Sequence, residues 1–297
     1  RTSSAGRHRR SSGMPSNSDP TWGATRLPRI LCGMSRPTAL VTGGSGGIGA
    51  ATCRALARHG ALVWIAGRRM DACEAVAQDV REAGGEARTL ELEVRDAAAI
   101  TRAVEAVTSA SPLTWLVNNA GIVRTAAVGD PAADEDHLAL HMDVNFHGPR
   151  RLTEAFLPSL VASGGGRVVQ VASSAALQGY PFVAAYTASK HALLGWSRAA
   201  AHDLARRGVS VNTVCPHFVD SPMTVAGAEA TAARTGKSAD AIKASYAGFN
   251  PTGVLVTPDE VAAAILEQLL ADRTGAVLEL LGGGERRVVD EGRALPS

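Results

Sequence analysis

Tyr186 and Lys190, in the run Tyr186-Thr187-Ala188-Ser189-Lys190, stand four residues apart, a spacing that sets a phenol and an ammonium one turn apart on one helical face. A free tyrosine, with a pKa of about 10, is a poor acid or base near neutrality, and an adjacent cation favours its phenolate. Such a pair can serve as a general acid toward a developing alkoxide. A second run, Thr42-Gly43-Gly44-Ser45-Gly46-Gly47-Ile48-Gly49, follows the apolar Thr38-Ala39-Leu40-Val41 and precedes a helical pattern over 50–58. A strand that empties into glycines and then a helix brings bare backbone N–H groups up to a pyrophosphate at the helix N-terminus, so a dinucleotide is the first ligand to consider.

Those residues need a scaffold, and the apolar runs supply one. Strand-like segments near 38–42, 61–66, 87–94, 113–117, 166–172, 209–214 and 276–280 alternate with helical patterns near 71–83, 97–109, 133–145, 149–162, 184–206 and 258–270. Several strands are apolar on both faces, which implies a mostly parallel sheet covered on each side. The expectation is an α/β fold: one doubly wound, seven-stranded domain over 38–285, with 286–297 a C-terminal tail. In such a sheet ligands bind beyond the carboxyl ends of the strands, where the topology reverses.

Taken in order, T-G-x-x-x-G-x-G, the N-N-A-G of Asn118–Gly121, an asparagine in a helix, a serine after a strand and Y-x-x-x-K thirteen residues on resemble the short-chain dehydrogenase/reductase family. The match is to its compact single-domain branch and runs over about residues 38–284. The resemblance implies a Rossmann domain that exchanges hydride between a nicotinamide dinucleotide and a carbonyl or alcohol. It implies Tyr186 as general acid/base, and Lys190 holding the nicotinamide ribose and lowering the Tyr186 pKa. Asn145 would support a water-mediated proton relay. Ser173 would bind the substrate oxygen, with the adjacent Ser174 as the fallback. Cofactor contacts are implied for Gly43, Ser45, Gly47, Ile48 and Gly49, for Glu93 and Val94, and for Asn119, Ala120 and Gly121. Pro216, Val219 and Ser221 would pack under the nicotinamide, in a segment where His217 replaces the expected glycine and Ser221 the expected threonine.

Cofactor choice turns on the end of the second strand. Users of NAD place an acid there for the ribose 2′-hydroxyl, whereas a guanidinium accepts a 2′-phosphate. This chain has Gly67 and then Arg68-Arg69, which favours NADP(H) while leaving NAD(H) possible. Tyr180, Phe182, His217 and Phe218 are expected to line the substrate pocket, under a lid formed by about 223–257. The lid has few aromatics and no dense basic cluster, so the substrate is expected to be a small, partly apolar carbonyl or alcohol, or an extended acyl thioester, rather than a polyanion.

Residues 1–37 differ from the rest: seven arginines stand against the single acid Asp19, without apolar periodicity. They are expected to be disordered, with non-native or mis-started sequence ahead of Met34 as the preferred explanation and a transit peptide as the second. Of the formal net charge of +2, this tail supplies +6 and leaves the remainder at −4, so nothing in the core asks for nucleic acid or an anionic membrane. Four scattered cysteines without a C-x-x-C pair suit a reducing, cytoplasmic setting. His137 and His141 are spaced as a metal pair could be, but no third ligand follows with matching spacing, and no metal is expected. Apolar residues on more than one face of the helices near 133–162 and 184–206 (Leu138, Leu140, Met142, Phe156, Leu193, Leu194, Trp196, Ala199, Ala200) suggest a homodimer or homotetramer.

Three readings stand at this level: an NADP(H)-dependent oxidoreductase interconverting a secondary alcohol and a ketone, its substrate a 3-oxoacyl thioester among others; an NAD-dependent hydroxyacyl or alcohol dehydrogenase; and a non-catalytic dinucleotide-sensing module.

Overall fold

The computed structural model describes residues 36–109, 111–130 and 135–296; the expectations for residues 1–35 lie outside them. Arg36 and Pro37, expected as part of the disordered tail, are instead held to the domain, Arg36 Nε donating to the Gly60 carbonyl and the Pro37 carbonyl accepting from the Leu62 amide, both at 2.9 Å. In chain order the elements are β1 (Thr38–Thr42), α1 (Gly47–Arg58), β2 (Leu62–Gly67), α2 (Met70–Glu82), β3 (Glu86–Glu91), α3 (Ala97–Thr108), β4 (Trp115–Asn118), α4 (Glu135–Met142), α5 (Gly148–Ala162), β5 (Arg167–Val171), α6 (Ala184–Ala205), β6 (Ser210–Pro216), α7 (Pro222–Thr235), α8 (Ala239–Ala247), α9 (Pro258–Leu270), β7 (Arg273–Thr274), β8 (Val277–Gly282), β9 (Glu285–Asp290) and β10 (Arg293–Ala294). The main sheet has the order β3-β2-β1-β4-β5-β6-β8-β9, and β7 pairs with β10 in a separate two-stranded ribbon. The order reverses between β1 and β4, and a crevice opens there beyond the carboxyl ends of the strands.

Alternating side chains on the strands fill two cores. Ala39 and Val41 of β1 pack with Leu56 of α1, Val76 of α2 and Ile265 of α9 on one face. Leu40 packs with Ile100 of α3, Phe156 of α5 and Ala200 of α6 on the other. α9 begins with Thr257-Pro258-Asp259-Glu260, where a reciprocal capping box and a proline in the first turn set the helix start. Losing such a cap costs about 1 kcal/mol. α4 and α5, expected as two helices, run into one another through a π-helical turn at Asp143–His147, which holds Asn145.

The sheet has eight strands rather than seven, because Glu285–Asp290, all but its first residue expected as part of a C-terminal tail, pairs antiparallel with β8. All six of its residues are exposed, so no burial pattern marks it. Its Glu, Arg and Asp side chains suit an edge that must resist pairing with other chains.

Candidate active site

A single cavity of about 860 Å³ runs from the glycine loop to the lid helices α7 and α8. The loop is pinned from β4: Asn119 Nδ2 donates to the carbonyls of Thr42 (2.9 Å) and Gly43 (3.2 Å), and Thr42 Oγ1 accepts from the amides of Asn119 and Ala120, each at 3.0 Å. Gly43 and Gly47 have positive φ, 64° and 52°, which only glycine adopts freely. A Cβ on Gly49 would lie 2.1 Å from the Gly43 carbonyl oxygen, so Gly49 lets α1 press against its own loop. No side chain caps the N-terminus of α1, which leaves first-turn donors and the positive end of the helix dipole for an anion.

Arg68 and Arg69 line the same cavity beyond β2. A Cβ on Gly67 would sit 3.0 Å from Cys73 Sγ and 3.7 Å from Ser45 Oγ, so a carboxylate side chain has little room where NAD-users place one. Arg68 is 69% exposed, and its Nη1 lies 3.6 Å from Glu93 Oε2. Glu93 is held below the usual carboxylate range, chiefly by hydrogen bonding to Arg95, a residue the sequence reading did not single out.

Tyr186 and Lys190 both line the cavity, one turn apart on α6 as their spacing predicts. The ammonium does not lie on the phenol: Lys190 Nζ donates to the Val171 carbonyl at 2.9 Å and stands 5.7 Å from the Tyr186 ring centroid. Burial pushes the phenol up to about 12, against a lowering hydrogen bond from Ser173, and pushes the ammonium down to about 8. In the protein alone the Tyr186 pKa is thus raised by desolvation rather than lowered as expected from Lys190.

Ser173 has extended backbone, φ −175°, and its Oγ accepts from the Ala175 amide at 3.1 Å. Ser174, the fallback, turns to Tyr180, whose hydroxyl donates to it at 2.8 Å. Asn145 lies outside the cavity lining and is fully buried. Its Oδ1 accepts from the Ile122 amide (2.9 Å), and its Nδ2 donates to the Ile122 carbonyl and Ser189 Oγ (both 3.0 Å). Its side chain thus ties the loop after β4 to α6.

Every other residue expected to bind cofactor or substrate, Gly49 excepted, lines this cavity: Ile48, Val94, Gly121, Phe182, Pro216, Phe218, Val219 and Ser221 among them. The lid adds two rings the sequence reading missed, Tyr246 and Phe249, which stack on Phe218 at 5.0 and 5.6 Å. His217 is buried, with Nε2 2.8 Å from Glu279 Oε1. His141 accepts from the Arg124 amide at Nε2 and bonds the His137 carbonyl at Nδ1, so both of its nitrogens are engaged.

Residues 37–232 match the family model described as short chain dehydrogenase. The chain belongs to the short-chain dehydrogenase/reductase family. It is 36% identical over 258 residues to a Streptomyces virginiae protein named "Monensin polyketide synthase putative ketoacyl reductase", spanning 82% of this chain and 95% of that one. It is 32% identical over 262 residues to the oxidoreductase UcpA of Salmonella typhimurium, covering 87% and 95%. The crystal structure of an actinorhodin polyketide ketoreductase variant with NADPH superposes with a TM-score of 0.79 at 31% identity, over 84% of this chain and 97% of that one. The chain is therefore a short-chain, NAD(P)(H)-dependent oxidoreductase that acts on small molecules. Among the described residues no helix is long and apolar enough to cross a membrane.

Proposed function

We propose that this short-chain dehydrogenase/reductase interconverts a secondary alcohol and a ketone, with NADP(H) as its preferred cofactor. The observation that carries the reading is that Tyr186, Ser173 and Lys190 open into the same cavity as an uncapped helix N-terminus and the Arg68-Arg69 pair.

The glycine loop and the α1 N-terminus would hold the pyrophosphate. Arg68 and Ser45, which line the cavity at the end of β2, would meet a 2′-phosphate, with Gly67 bringing no acid to repel it. The bound cofactor supplies or accepts the hydride. Tyr186 gives its phenolic proton to the carbonyl oxygen during reduction, or receives the hydroxyl proton during oxidation, while Ser173 steadies that oxygen. A phenol kept protonated by burial suits donation in the reductive direction. Lys190, beside Gly121 and Tyr186, would bind the ribose hydroxyls and favour the phenolate once the proton has left. Asn145 holds the loop and helix that frame this site. The names of the ketoacyl reductase relative and of the NADPH-bound ketoreductase point the same way.

The test is purified protein offered a panel of ketones and 3-oxoacyl thioesters, with NADPH and NADH compared by loss of reduced-cofactor absorbance. Turnover favouring NADPH supports the reading; a preference for NADH returns the cofactor assignment to NAD.

A further inference from the structure

His217, which stands where glycine was expected, belongs to a chain of polar groups that crosses the sheet edge. Its side chain and that of Glu279 on β8 are each 3% exposed, and the two meet at 2.8 Å through Nε2 and Oε1. Glu279 Oε2 accepts from Arg287 on β9, with Nε at 2.7 Å and Nη2 at 2.5 Å. A carboxylate bridged to a guanidinium accepts hydrogen bonds and donates none, so the His217–Glu279 bond needs its hydrogen on Nε2. Wherever the imidazole is neutral, that tautomer leaves Nδ1 bare, and a bare ring nitrogen is an acceptor.

Nδ1 faces the Tyr180 hydroxyl at 3.3 Å. That hydroxyl has one proton, and its nearer acceptor is Ser174 Oγ at 2.8 Å; Gln178 Nε2 donates to it at 2.7 Å. Gln178 is exposed, so water or a ligand competes for its place. Tyr180 and His217 together thus retain room for one more donor, and both line the cavity. The wall around them is aromatic. Tyr180 meets Phe218 edge-on at 5.7 Å and Phe249 at 6.3 Å, and Phe218 stacks on Tyr246 and Phe249. Rings of this kind bind flat apolar ligands by stacking and edge contacts.

We propose that Tyr180 and His217 form a specificity-determining subsite for a hydroxyl group on a flat, ring-bearing ketone, and that Glu279 and Arg287 are positioning residues that hold the His217 ring hydrogen on Nε2. This rests on the reading of the cavity as a ketone/alcohol site, and it adds what the far end of that substrate carries.

The test uses the full chain loaded with NADP+, so that a ketone binds without turning over, and three probes: tetralone, a ring-hydroxylated tetralone and its methyl ether. Titration calorimetry should show the hydroxylated ketone binding about fivefold or more tightly than either other probe, the effect of one net hydrogen bond. His217→Phe should abolish that preference. In Glu279→Gln the amide can donate to Nε2 and move the imidazole hydrogen to Nδ1, so the preference should shift toward the methyl ether; a merely structural role would weaken all three probes alike. Equal affinities in the wild type, tighter binding of the methyl ether, or binding of none of the three overturns the subsite. NADPH-dependent turnover of the same ketones, measured on the same preparation, reports separately on the enzymatic reading.

Discussion

Lys190 Nζ lies 5.7 Å from the centroid of the Tyr186 ring and gives a hydrogen bond to the carbonyl of Val171, the last residue of β5. The helix thus brings the two groups together while the lysine remains tied to the sheet. Both are driven toward their neutral forms by burial, the phenol up to about 12 and the ammonium down to about 8.

A stability consequence follows from the lysine. Its folded pKa lies below the ordinary value of 10.5, so between about pH 8 and 10.5 the unfolded chain binds the proton that the folded protein lacks. Stability from this group therefore rises with pH across that window, and below it the buried ammonium costs on the order of 3 kcal/mol. Lys190→Met should melt higher than the wild type at pH 7, and the gap should narrow as the pH approaches 10. Thermal unfolding of the two cofactor-free proteins across pH 7–10 checks this; a constant gap contradicts it.

Arg68→Ala should weaken NADPH about tenfold or more and leave NADH little changed, because a charge-assisted contact to phosphate is worth ~1.5–3 kcal/mol. Glu93 lies 3.6 Å from the same guanidinium, so Glu93→Gln should free Arg68 and tighten NADPH modestly. Cofactor titrations measure both. Equal losses for the two cofactors in Arg68→Ala would make Arg68 structural.

Gly49→Ala places a methyl 2.1 Å from the Gly43 carbonyl oxygen, a clash only a backbone shift can relieve. It should lower the melting temperature and weaken both dinucleotides together, unlike Arg68→Ala. Differential scanning calorimetry with cofactor titration distinguishes the two patterns.

Much of the site was legible because its motifs are local: the glycine loop sits between a strand and a helix, and Tyr186 and Lys190 share one helical turn. Contacts made across the fold were not. His217 and Glu279 are 62 residues apart in sequence, and their pairing depends on β6 and β8 lying side by side. β9 was missed because an exposed, charged edge strand carries no hydrophobic alternation; Gly282-Gly283-Gly284, all at positive φ, was the available hairpin signal. Spacing also could not say how deeply Lys190 is buried, and burial is what lowers its pKa.

For assembly, Phe156, Leu193, Leu194 and Ala200 are spent in the intramolecular cores, while Leu138 is half exposed and Trp196 partly so. The proposal of a dimer or tetramer through these helices therefore rests on a smaller surface than the sequence suggests. Light scattering at micromolar concentration should report two or four chains; a monomer mass that persists as concentration rises contradicts it.

The central claim is tested most directly by Tyr186→Phe, assayed for NADPH-dependent ketone reduction beside the wild type, with NADPH affinity measured on both. The account predicts turnover reduced by ~10² or more with NADPH binding retained, since only the proton donor is lost. Near-wild-type turnover in that variant would contradict it.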